Sequence, residues 1–138
     1  MKVFFDHQVF IQQNFGGVSN YIVNLVNHFS EKIDPLIISL IYKNNYLRNT
    51  KYAHKFLYLK KTGFLQSYIQ KLNKFYFEKY SNIKKPDLIH YTYFNEKIFY
   101  KLNMPLIITE YDLIKEKFYK DEFADQLNYK KKLFDKVN

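Results

Sequence analysis

The chain has 138 residues, 47% of them hydrophobic and 25% charged, enough for one real core and too apolar for a disordered tail. It has no cysteine, which excludes a disulfide framework and any thiolate metal site. Its formal net charge of +9 admits three anionic partners besides a plain solvated lysine surface: nucleic acid, an anionic membrane surface, or a phosphorylated small molecule.

Aromatic residues reach 20%, as 14 Phe and 14 Tyr with no Trp, and lysine almost replaces arginine. That is a compositional bias and not a signature of function. The apolar run Val3–Phe4–Phe5 is too short for a signal peptide. Residues 8–30 lack full charges but carry Gln, Asn, Ser and Gly throughout, which argues against a bilayer span. The expectation is a soluble cytoplasmic chain, with peripheral attachment to the inner face of a membrane as the extension its charge allows.

Val3–Phe5 reads as a first buried strand, followed by a loop. Gly16–Gly17 then opens a segment whose apolar residues Val18, Tyr21, Ile22, Leu25, Val26 and Phe29 recur at steps of three and four. This spacing predicts a helix over 18–30 with Asn20, Asn24, Asn27 and His28 on its polar side. His28, near the helix end, reads as a surface cap. Leu36–Tyr42 is a continuous apolar run, as expected of a strand buried on both faces of a parallel sheet. A polar loop over 43–55 and a short strand over 56–59 follow.

Thr62–Gly63 marks the start of a second long helix, with Leu65, Tyr68, Ile69, Leu72, Phe75 and Tyr76 as its apolar positions and Lys71, Lys74 and Lys79 as its basic side. Lys84–Lys85–Pro86 ends it. Asp87–Tyr91 and Pro105–Thr109 read as further buried strands, residues 96–102 as one or two helical turns, and residues 121–138 as a polar helix. Strands alternate with helices at spacings that predict an α/β fold, a Rossmann-like three-layer sandwich around a mainly parallel sheet.

In such a sheet, ligands bind outside the carboxyl ends of the strands. Asp6–His7, Thr92–Tyr93 and Tyr111–Asp112 each follow an apolar strand, and that edge is where they would meet Gly16–Gly17. Glycines at a helix start let an anion approach unpaired backbone N–H groups, although a tight turn is the plainer reading of the pair alone. Neither G-x-G-x-x-G nor a Walker A loop is present. His7, His28, His54 and His90 are too scattered to argue a metal site. Asp121, Glu122 and Asp125 fit an acidic first helical turn better than paired-carboxylate chemistry.

Four segments together resemble the amino-terminal domain of GT-B glycosyltransferases of family 4. They are Phe5–Asp6–His7–Gln8–Val9–Phe10 with Gln13 to Tyr21; Tyr42 to Leu47; Pro86 to Phe94; and Pro105 to Glu116. The resemblance spans nearly the whole chain. It implies two Rossmann-like domains with a sugar-transfer cleft between them. It also implies retaining hexosyl transfer from a nucleotide-sugar donor to a glycan or lipid-linked acceptor, for polysaccharide biosynthesis, without a cofactor or bound metal.

By that resemblance Gly16 and Gly17 would lie by the donor phosphate. Asp6, His7 and Tyr93 would line the acceptor side, and Tyr111 and Asp112 would hold the catalytic positions. Tyr111 stands where the family usually has His, a poor exchange for imidazole chemistry. The sequence ends at Asn138, before the family's nucleotide-binding domain. The expectation is therefore an acceptor-side domain that does not turn over alone: a fragment, a truncated gene product, or one part of a split enzyme whose second domain is carried by a separate chain. A non-catalytic interaction or membrane-docking subunit is the alternative. A nucleic-acid binder has only charge and aromatics behind it, since no such motif occurs.

Overall fold

The computed structural model describes residues 1–93, 102–109, 111, 127, 128 and 131. Of the helical turns expected over 96–102 only Leu102 is described, of the helix expected over 121–138 only residues 127, 128 and 131, which are helical, and Asp112 lies outside the described residues.

Five parallel strands form the sheet: β1 (Lys2–Phe5), β2 (Asp34–Tyr42), β3 (Ala53–Tyr58), β4 (Leu88–Tyr91) and β5 (Leu106–Ile108). Their order is β3-β2-β1-β4-β5. The connections contain α1 (Gln8–Gln12), α2 (Gly17–Asn27), α3 (Asn45–Asn49) and α4 (Gln66–Lys84), the last preceded by a 3-10 turn over Gly63–Leu65. The fold is the α/β sandwich expected, and among the described residues its sheet is entirely parallel.

Side chains alternate across the strands, so neighbours serve opposite layers. Val3, Phe5 and Ile37 join α1, α2 and α3 through Val9, Phe10, Ile22, Val26 and Leu47. Phe4, Ile38, Ile89 and Tyr91 face the other way, against Phe77 of α4. This double burial is why β2 is a near-continuous apolar run. Pro35 falls inside β2, opposite Val3, although the sequence pattern treats Asp34–Pro35 as a break. α1 is absent from the sequence reading, because five residues are too few to show a helical period.

α4 departs further from expectation. Its buried line is Ile69, Asn73, Phe77 and Ser81, spaced four apart, while Leu65, Tyr68, Leu72 and Phe75 are exposed. The helix docks on its more polar stripe because Asn73 solves a backbone problem. β1 ends opposite Ile37, so it cannot pair with Ile41 four residues later in β2. Asn73 accepts from the Ile41 N–H at 3.1 Å and donates to the Ile41 carbonyl at 2.8 Å, and also to the Ile69 carbonyl at 3.0 Å. A side-chain amide thus takes the place of the missing strand partner.

Removing that amide leaves the half-buried Ile41 N–H without its acceptor and the Ile41 carbonyl with only the Ser39 hydroxyl at 3.3 Å. Asn73→Ala is expected to lower the unfolding free energy by about 2–4 kcal/mol, read as a lower urea midpoint at unchanged slope.

Candidate functional site

In this strand order the chain moves outward from β1 to β2 and β3, then crosses back to β4 and β5. Sheets of this order have their binding crevice where the order reverses, outside the carboxyl ends of β1 and β4. Asp6 directly follows β1 and Thr92 directly follows β4, so both stand at that point.

They are joined by a buried carboxylate. Asp6 Oδ1 accepts from Thr92 Oγ1 at 2.6 Å, from the Thr92 N–H at 2.9 Å and from the Gln8 N–H at 3.3 Å, and Oδ2 accepts from Gln8 Nε2 at 2.6 Å. Thr92 Oγ1 in turn accepts from the Val9 N–H at 3.2 Å, which ties in α1. Burial raises the Asp6 pKa above the ordinary carboxylate value, against the lowering effect of its donors on Thr92 and Gln8. Asp6 and Thr92 are both fully buried.

The sequence places Asp6 and His7 on the acceptor side. In the structure both side chains are inaccessible, and Asp6 serves as a brace between two strand ends. His7 is held neutral: burial, then the charge of Lys74, lowers its pKa to about 3. Tyr93 is half-buried against the α2-side core and remains partly accessible.

Tyr111 does reach the crevice. Its Oη donates to the Thr92 carbonyl at 3.3 Å, and its ring meets Tyr21 of α2 edge-on, 6.0 Å between centroids. Burial, Tyr21 and Asp6 all push its pKa upward, so the phenol keeps its proton and acts as a hydrogen-bond donor and never as a base near neutrality. Asp112, the second residue of the expected catalytic pair, lies outside the described residues.

Gly16 and Gly17 differ from each other. A Cβ at Gly16 would stand 2.1 Å from Gln13 Oε1, so the glycine makes room for that amide. Gln13 Oε1 accepts from the Ser19 N–H at 3.4 Å and so caps the start of α2. A Cβ at Gly17 would meet nothing within 4 Å. Beside it, the first N–H groups of α2 have no protein acceptor among the described residues apart from Gln13.

His90 lies one layer below. Its Nε2 is 2.8 Å from Thr109 Oγ1, its ring packs edge-on against Phe5 at 4.9 Å, and its Nδ1 is buried without a partner among the described residues. Burial lowers its pKa to about 4. Among the described residues no group of His, Asp and Glu is arranged to hold a metal ion.

A groove of about 390 Å3 runs between α2 and α3, starting at Phe15 beside the glycines. Its walls are amides (Asn20, Asn24, Asn27, Asn45 and Asn49) and the paired rings of Phe15 and Tyr46, with no charged side chain. Sequence reasoning missed the roles of Gln8 and Gln13, which brace the loops, and of Tyr21; it placed Thr92 at this edge but not as a brace. The helical period assigns Tyr21 to the core face, yet it is 48% exposed and packs on Tyr111. The spacing of Gln13 three residues before Gly16 is the one sequence signal that bears on the cap. No family model, curated protein or solved structure matches the chain.

Two outcomes test this description. Asp6→Ala strips the donors of Thr92 and Gln8 of their acceptor and is expected to cost about 3–5 kcal/mol in chemical denaturation. Asp6→Asn keeps the shape, removes the buried charge and can donate to Gln8 Oε1, which has no partner among the described residues, so it is expected to cost about 1 kcal/mol or less.

For His90, the folded pKa lies below the unfolded value of 6.5, so the unfolded chain binds more protons between pH 6.5 and about 4. Stability therefore falls as pH drops through that window, by up to about 1.4 kcal/mol per pH unit for this group. The raised pKa of Asp6 works in the opposite sense, since its folded state takes up a proton first. The difference between His90→Gln and the unmodified chain, followed as urea midpoints against pH, isolates the histidine: it should be constant above pH 7 and shift in favour of the variant as pH falls from 6.5 toward about 4.

Proposed function

We propose that this chain supplies the acceptor-side half of a retaining glycosyltransferase, in which a hexosyl group passes from a nucleotide-sugar to an acceptor hydroxyl. The observation that carries the reading is the gathering of three loops at one sheet edge. Asp6 after β1, Thr92 after β4 and Tyr111 after β5 meet beside the start of α2. The resemblance of these segments to family 4 of the GT-B enzymes supports the same assignment.

The reaction breaks the bond between the anomeric carbon and a diphosphate oxygen and forms one to the acceptor oxygen, whose proton is released. The departing diphosphate needs hydrogen-bond donors already aimed at it. Gly17, with open space where a side chain would stand, lets a phosphate reach the first N–H groups of α2. Gln13 Oε1 now holds the Ser19 N–H and would yield it to a phosphate oxygen. Tyr111, neutral and donating, suits a sugar hydroxyl better than proton transfer. The amide-lined groove that begins at Phe15 is uncharged, as suits a hydroxyl-rich acceptor. The nucleotide would be held by a second domain on another chain or segment, and the intact enzyme would need it.

The chain has three glycines, so glycine-selective 15N labelling produces three amide signals. Titration with uridine and guanosine diphosphate sugars to millimolar concentration is expected to shift those of Gly16 and Gly17 and leave Gly63 in place. Gly17→Ala, which meets no neighbour, should fold normally and weaken the effect about tenfold. Gly16→Ala displaces Gln13 and should also cost about 0.5–2 kcal/mol of stability. Equal shifts at all three glycines, or none, contradict the proposal.

A further inference from the structure

α4 is apolar on two sides. One line, Ile69–Asn73–Phe77–Ser81, is buried on the sheet. The opposite arc, continuing from the 3-10 turn before the helix, carries Phe64, Tyr68, Leu72 and Phe75, which are 90%, 71%, 45% and 58% exposed. At 100° per residue these four fall within a quarter of the helix circumference. Phe56 of the edge strand β3 extends the patch and is 83% exposed. It shares the α4-facing side of β3 with His54, whose ring packs on Tyr76 and Tyr80. Large apolar side chains grouped this way on a surface mark an interaction site.

The charges around the patch are of one sign. Residues 60–85 contain seven lysines and a single acid, Glu78, which is paired with Lys74 at 2.5 Å. Lys71 and Lys79 lie in the same arc as the exposed rings, and the Lys79 ammonium sits 5.7 Å from the Phe75 ring centre. Lys60 and Lys61 precede the turn. Aromatic and aliphatic groups interleaved with lysine on one helix face are the composition of a helix that lies in a membrane interface. The apolar tips enter the acyl boundary, and the ammonium groups reach back to anionic headgroups.

We infer that α4 and its preceding turn dock this protein on an anionic lipid surface, with the helix parallel to the membrane plane. The charge pattern selects this occupant. Two copies meeting through the patch would bring their lysines together, and a nucleic acid would leave Leu65 and Leu72 without a stacking partner. No described helix is long and apolar enough to cross a membrane, so the contact is peripheral. The inference does not depend on the sugar-transfer reading.

The test is co-sedimentation of the full chain with vesicles of phosphatidylcholine containing about one-third phosphatidylglycerol, against phosphatidylcholine alone. The chain should pellet with the anionic vesicles at low salt and be released as salt rises. The double variant Phe64→Ser/Tyr68→Ser touches only exposed positions, should melt like the unmodified chain, and should lower partitioning about tenfold or more. Lys60→Gln and Lys61→Gln should each lower it about fivefold.

Because the chain has no tryptophan, Phe64→Trp adds a single fluorophore whose emission should shift to the blue on anionic vesicles. Failure to pellet at low salt, an unshifted emission, or unchanged partitioning in the double variant overturns the inference. So does a concentration-dependent dimer, or RNA retention on filters, that the double variant abolishes while vesicle binding survives.

Discussion

The arrangement at the sheet edge depends on one buried carboxylate. Asp6 collects donors from the loop it begins and from the end of β4, a strand 86 residues away in sequence at Thr92. The ladder between β1 and β4 ends at Phe5 and His90, and the backbone N–H groups of Gln8 and Thr92 beyond it have no strand partner. The carboxylate closes the gap by accepting two bonds from Thr92 and two from Gln8, and Thr92 passes the connection to the N–H of Val9. The raised pKa of Asp6 shows that burial outweighs those donors in setting its ionisation. The brace is a cost that the fold accepts to hold two loops together.

That brace determines which groups remain for chemistry. Asp6, His7 and Thr92 lie beneath the surface of the crevice and act by position. What remains accessible at this edge is the start of α2 with Tyr21, Tyr93 and Tyr111, which offer backbone N–H groups and phenol hydroxyls. The +9 net charge is spent elsewhere, much of it around α4 on the other face of the sheet. The molecule thus separates a hydrogen-bonding edge from a basic and aromatic face.

The strands were the most legible part of the sequence. The Ile-rich run at 36–42 is continuous because both faces of the sheet are covered there, whereas the run at 106–108, expected as a buried strand, forms the edge strand β5 with Ile107 43% exposed. The position of Asp6, Thr92 and Tyr111 at one edge was also legible, since each follows an apolar run and parallel strands all end on the same side. Their roles were not. Nothing local distinguishes an acid that faces a ligand from one that braces two loops. The distinction is made by donors on Gln8 and Thr92, the latter beyond any sequence window.

α4 shows the limit most clearly. Its sequence offers two stripes at helical spacing, and the more aromatic one looks like the core side. Hydrophobic periodicity by itself thus determined that residues 66–84 form a helix and that a parallel sheet runs through the chain. Only the tertiary structure decided which side of that helix is buried, because the choice turns on the Ile41 N–H and carbonyl in β2, which Asn73 meets as acceptor and donor while Ser39 Oγ reaches only the carbonyl. A buried backbone group without a partner costs more than an exposed phenylalanine, so the amide went inward and the aromatic rings were left outside.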